Sequence, residues 1–135
     1  MENLKKRYDA AHEALNHLDE SMRKLRHKDF QENYEGIRDS AIQRFDVTLN
    51  AFLDFLDTYL DEKFQVKIQG PNAAAVLRAC LEKKIITDEE FTKLSDAVED
   101  HGGVSDGQQA ESISKNIFTH YNVMRKIFDR IKISS

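Results

Sequence analysis

An all-α, up-and-down helical bundle of the four-helix-bundle type is the fold this sequence predicts, and three observations predict it. Chain breakers are scarce, with one proline and five glycines in 135 residues. Leu, Ala, Glu and Lys, all good helix formers, are abundant. Apolar residues recur over long stretches at steps of three and four, which keeps side chains on one face of a 3.6-residue turn.

The longest such stretch is central. Ile37, Ala41, Phe45, Leu49, Phe52, Leu56 and Tyr59 make one seam, and Ile42, Leu53, Phe55 and Leu60 widen it. A wide apolar face needs neighbours on more than one side. Asp39, Gln43, Asp46, Asn50, Asp54 and Asp57 fill the opposite edge, so this helix, running from about Gly36 to Lys63, is the expected centre of the bundle. Before it, Leu4, Tyr8, Ala11, Leu15, Leu18, Met22 and Leu25 predict a long helix over residues 3 to 27. Basic residues from Arg23 to Lys28 suit the negative end of that helix dipole, which explains them without nucleic acid.

After the central helix, residues 64 to 69 alternate apolar and polar. Six residues make a poor isolated strand, so the expectation is an extended connector with Phe64, Val66 and Ile68 tucked against the bundle. Gly70-Pro71-Asn72 stops the chain, and a third helix follows from Ala73 to Lys84 with Val76, Leu77, Cys80 and Leu81 inward. Thr87 and Glu90 fit a capping box that starts a fourth, short helix bearing Phe91, Leu94 and Val98. The segment His101 to Gly107 breaks it. A last helix runs from about Gln108 to Ile133, with Ile113, Ile117, Tyr121, Met124, Ile127 and Ile131 as its seam. Three long helices and a short helical pair thus form a single domain, residues 1–135.

Composition excludes several classes of function. The formal net charge of −4 does not drive the chain onto nucleic acid or an anionic membrane. No apolar run approaches the ~20 residues needed to span a bilayer, and the N-terminal residues lack the apolar centre of a signal peptide. A single cysteine, Cys80, allows no internal disulfide and suits a cytoplasmic protein. None of the five histidines follows a Glu by three residues, so the di-metal bundle pattern is missing and no metal or other cofactor is expected. Gly102-Gly103 and Gly107 follow no strand and precede no Lys-Ser/Thr, unlike a phosphate-cradling loop. No residue set makes an independent case for catalysis.

One block does point to a family. Ile42-Gln43-Arg44-Phe45-Asp46-x-Thr48, followed by Leu56 and Tyr59-Leu60, resembles the IQRFE-x-T signature of the nucleotidyltransferase substrate-binding proteins, within the wider HEPN group. Pro71 and Val76-Leu77-Arg78-Ala79, with Ile85-Ile86 beyond, resemble that family's P-R-E-V-L-R-x-A helix. Phe91 and Leu94 stand where the family has the Trp and Met of W-x-x-M-L, and Asp106, Ala110-Glu111 and Ile113 are similar to the opening of its last helix. The similarity runs through residues 30 to 133 in order.

The resemblance implies a helical bundle that dimerises and pairs with a separate minimal nucleotidyltransferase, often as a toxin–antitoxin system. Many HEPN proteins are ribonucleases using an R-N-x-x-x-H motif. Here Val98 and Glu99 stand at its Arg and Asn, Gly103 at its His, and Ser105 at the Tyr that follows. A shift of three places His101 at the Arg and Asp106 at the His, which restores neither. A metal-independent ribonuclease needs an acid or base and a cation for the developing phosphorane charge, which Val98 and Gly103 cannot supply. The central-helix Trp of the family is Leu53 here.

The expectation is therefore a non-catalytic substrate- or nucleotide-binding subunit of a nucleotidyltransferase. Arg38, Gln43 and Arg44 are its first binding candidates, with His101 and Asp106 second. The alternatives are a ribonuclease with displaced residues such as His101, Asp106 and His120, or a purely structural helical adaptor. Phe52, Leu53, Phe55, Leu56 and Leu60 exceed what two neighbouring helices cover, and the surplus predicts a homodimer.

Overall fold

The computed structural model describes the backbone of residues 2–26, 34–69, 72–100 and 107–131, and the side chains of 3–24, 36–69, 72–99 and 115–131. Five helices follow in order: α1 (Glu2–Arg26), α2 (Tyr34–Phe64), α3 (Ala73–Glu82), α4 (Asp88–Asp100) and α5 (Gly107–Arg130). No strand occurs among the described residues, and the all-α bundle is as expected. None of these helices is long and apolar enough to cross a membrane.

Cross-helix contacts set the directions. Arg7 reaches Asp54, Ala14 accepts from Thr48 and His17 meets Arg44, so α1 and α2 run antiparallel. Phe45 lies beside His120 and Phe55 beside Phe128, which makes α5 parallel to α2. Arg130 at the end of α5 bonds Glu90 at the start of α4, so those two are antiparallel. Helices α1, α2 and α5 pack on one another, and the short α3–α4 pair completes the bundle, α3 against α2 and α4 against α5.

The seams predicted for α1 and α2 are the core. Leu4, Ala11, Leu15, Leu18 and Met22 of α1 are buried, as are Ala41, Phe45, Leu49, Phe52, Phe55, Leu56 and Leu60 of α2. Because α2 packs against α1, α3 and α5 together, its apolar residues are spread around much of its circumference. That corrects the expected surplus. Phe52, Phe55, Leu56 and Leu60 are all fully buried within the single chain and Leu53 is partly buried, so no leftover apolar face of α2 calls for a second copy. The expectation from sequence counted two neighbours where three pack.

An aromatic group joins α1, α2 and α5. The ring of Tyr8 stacks on Phe128 with centroids 4.6 Å apart and meets Phe55 edge-on at 5.7 Å. His12 lies nearly parallel to the same Phe128 ring, 8° between planes.

Helix ends follow local chemistry. The Asn72 side chain accepts from the Ala75 N–H and caps α3. Thr87 and Glu90 form the expected capping box: Glu90 N–H donates to Thr87 Oγ1 at 3.1 Å and Thr87 N–H donates to Glu90 Oε1 at 2.9 Å. Helix α3 stops at Glu82, two residues before the expected end, because Lys84 adopts the left-handed region at φ 62°. Ile85 N–H then bonds Cys80 O at 2.9 Å and Lys84 N–H bonds Leu81 O at 3.1 Å, a Schellman closure with Ile85 buried behind it.

At the end of α2, Gln65 also has positive φ, 55°, which turns the connector so that Val66 and Ile68 pack on the core. Phe64 departs from expectation. It is the last helical residue, 36% exposed, with its ring edge on Tyr59 rather than under the bundle. Helix α5 ends at Arg130, earlier than predicted, with Ile117, Met124, Ile127 and Ile131 buried and Tyr121 partly so; the Ile113 side chain lies outside the described residues.

Candidate functional site

The motif block of α2 divides into residues that build the bundle, Ile42, Phe45 and Thr48, and residues that stand at the surface, Gln43, Arg44 and Val47 among them. Phe45 is 1% exposed and sits 5.8 Å from the buried His120 ring. Thr48 is equally buried, and its hydroxyl lies 2.7 Å from Arg44 O, one turn back, and 3.1 Å from Ala14 O on α1. Its proton can go to one of these at a time, so the hydroxyl is shared between its own helix and its neighbour. Phe45 and Thr48 therefore have packing roles, and the block owes part of its pattern to the α1–α2 contact.

Arg44 is exposed at the same seam. Its Nη1 lies 3.4 Å from His17 Nδ1, where the guanidinium donates and the ring nitrogen accepts in a neutral imidazole with its proton on Nε2. One turn along the seam, Ser40 on α2 and Ser21 on α1 line a cavity of about 200 Å³ together with Lys24, Gly36 and Ile37. An exposed guanidinium one turn from hydroxyls and an ammonium suits the oxygens of a phosphate or carboxylate, which Arg can grip with two parallel bonds.

The three first candidates do not form one set. Successive helical residues turn by about 100°, so Arg38, Gln43 and Arg44 lie on three different sides of α2. Arg38 shares its stripe with buried Ile42, Phe45 and Leu49, and only 11% of its side chain is exposed. Its Nε donates to Asp39 Oδ1 at 3.2 Å. Gln43 is exposed on the polar edge. The spacing alone carries this signal. His101 and Asp106 lie outside the described residues. His120, the remaining residue of the ribonuclease alternative, is 5% exposed and faces the core beside Phe45.

Two further clefts lie among the described residues. Between α4 and α5 a cavity of about 370 Å³ is lined by Glu89, Glu90, Lys93, Thr119, Asn122 and Lys126, among others. Its charges are largely spoken for: Lys93 Nζ donates to Glu89 Oε1 at 2.9 Å, which with the Lys93 charge holds the Glu89 carboxyl below its ordinary range. Glu90 is gripped by Arg130, whose Nη1 and Nη2 donate to Oε2 and Oε1 at 3.1 and 2.7 Å, while Nη2 also donates to Ile85 O at 2.8 Å. Burial raises the Glu90 pKa, but the bonds from Arg130 and Thr87 and the nearby cations outweigh it and leave it lowered. Sequence reasoning found the cap and missed the arginine, which lies forty residues away.

The second cleft, about 200 Å³, lies where Asn50, Asp54 and Asp57 of α2 approach Asn72 and Val76. Burial, then repulsion from Asp54 and Asp61, raises the Asp57 pKa against the pull of Arg7. Among the described residues no group of His, Cys, Asp and Glu could hold a metal ion.

No protein-family model matches the chain, and no curated protein matches it. Among solved structures, it is similar to a crystal structure of a protein from Thermus thermophilus, at 26% sequence identity and a TM-score of 0.78. The alignment covers 91% of this chain and 99% of that one, so the two share the helical fold over most of their length.

Proposed function

We propose that this chain is the non-catalytic binding subunit of a minimal nucleotidyltransferase, a cytoplasmic two-component pair of the HEPN, toxin–antitoxin type, with Arg44 as the principal contact. The exposed guanidinium of Arg44 carries the reading. Within the block that resembles the family signature, Phe45 and Thr48 are committed to packing, whereas Arg44 stands on the surface beside His17, one helical turn from the cavity of Ser21, Lys24 and Ser40. Arg38 and Gln43, on other sides of α2, have separate roles. A homodimer, if it forms, uses a surface other than the apolar face of α2, which the chain covers itself.

The test has two stages. Tagged protein is used to capture partners from its own host's lysate, and recovery of a small nucleotidyltransferase in near-stoichiometric amount supports the pairing. The Arg44→Ala variant is then titrated with that partner and with ATP. Loss of one charge-assisted contact should weaken binding roughly tenfold while the helical circular dichroism stays unchanged. A binding curve identical to that of the unaltered protein removes Arg44 from the role. Partner binding without saturable ATP binding instead identifies a structural adaptor.

A further inference from the structure

Three chain features meet at one guanidinium. Arg130, the last residue of α5, bonds both carboxylate oxygens of Glu90 and the carbonyl of Ile85. Glu90 closes the cap at the start of α4, and Ile85 closes the Schellman end of α3. The two helices so held are short, 10 and 13 residues, about the length at which isolated helices are marginal in water. Their bundle position therefore depends on what they pack against. A forked, charge-assisted grip is directional, so a swing of one side chain breaks all three bonds together. The Arg130 side chain is 41% exposed and has room to make that swing, while that of Glu90 is 7% exposed. On the other side, residues 65–69 enter α3 without regular structure.

We propose that the α3–α4 hairpin is a releasable unit latched by Arg130, which opens while α1, α2 and α5 remain packed. Opening uncovers Cys80 and the part of α2 beneath α3.

Cys80 reports it. The thiol is fully buried, and it is the only cysteine of the chain, so modification has a single site. Burial, reinforced by the charge of Asp57, pushes its pKa up to about 12, so the closed state offers a reagent neither access nor thiolate.

The experiment follows the rate at which dithionitrobenzoate modifies Cys80 in the full chain, over a series of urea concentrations below the unfolding transition. Local opening exposes less surface than global unfolding, so the logarithm of the rate should rise with urea on a shallower slope than the global equilibrium constant. Arg130→Ala should accelerate modification roughly tenfold or more, from the loss of bonds to a charged group. Thr48→Val loosens α1 from α2, a contact that persists when the hairpin opens, and should leave the rate unchanged while lowering global stability. Modification of the unaltered protein that follows the global slope throughout overturns the proposal, as does acceleration by Thr48→Val in step with its global destabilisation. Should Arg130→Ala fail to fold, the slope for the unaltered protein and the Thr48→Val comparison still decide.

Discussion

Replacing Lys84 by glycine should stabilise this protein, although the change deletes a whole side chain. Lys84 sits at φ 62°, where its Cβ crowds the backbone, at a strain of roughly 1–2 kcal/mol for a residue other than glycine. The conformation is imposed from both sides, by Ile85 N–H on Cys80 O and Lys84 N–H on Leu81 O, so the chain cannot relax it without opening the end of α3. The side chain itself is exposed and contributes little. Glycine removes the strain but enlarges the freedom of the unfolded chain, which offsets roughly 0.5–1 kcal/mol. The net gain is therefore about 0.5–1 kcal/mol, or about 2–4 °C in Tm for a chain of this size. Differential scanning calorimetry of Lys84→Gly beside Lys84→Ala separates causes, because alanine keeps the Cβ and should gain nothing. Equal stability of the two variants would refute the strain and the Schellman geometry that produces it.

Two further outcomes can be measured on the same instruments. Thr48→Val preserves shape but leaves Ala14 O without its hydroxyl partner, and should lower stability by about 1 kcal/mol in urea titration; no loss would mean the buried hydroxyl is not bonded across the seam. Glu90 has a depressed folded pKa, so its contribution is fully present above the unfolded carboxyl pKa, about 4.3. That contribution should fade as pH falls through the lower folded value. Glu90→Gln should flatten this part of the stability–pH profile, and parallel acid profiles for the two proteins would exclude the carboxylate.

Most of the fold was legible because helix periodicity is local. The seven-residue seam of α1 and that of α2 are written at steps of three and four, and each described member is buried or packed against the core. The capping box was equally legible, since its two bonds join residues three apart. The site was harder. Arg130 meets Glu90 only through tertiary folding, and nothing in the residues around either one specifies the other. The pairing of Arg44 with His17 has the same character. The separation of Arg38, Gln43 and Arg44 was within reach, because a turn of about 100° per residue already places them apart. The homodimer rested on counting neighbours of α2, and the number of helices packed on a face is a property of the whole chain rather than of the stretch that carries it.

The stacking of Tyr8 on Phe128 gives this molecule an optical report of its own assembly. The chain contains no tryptophan, so its near-ultraviolet spectrum comes mainly from four tyrosines and eight phenylalanines. Tyr8 belongs to α1, while the rings that hold it at fixed angles belong to α2 and α5, 69° from Phe55 and 20° from Phe128. A tyrosine gives a strong near-ultraviolet circular dichroism band only while its surroundings are fixed and asymmetric. The Tyr8 band should therefore vanish when α5 leaves the other two helices, even where the far-ultraviolet signal still records intact helices. The same band should be indifferent to the α3–α4 hairpin, which contributes none of these rings.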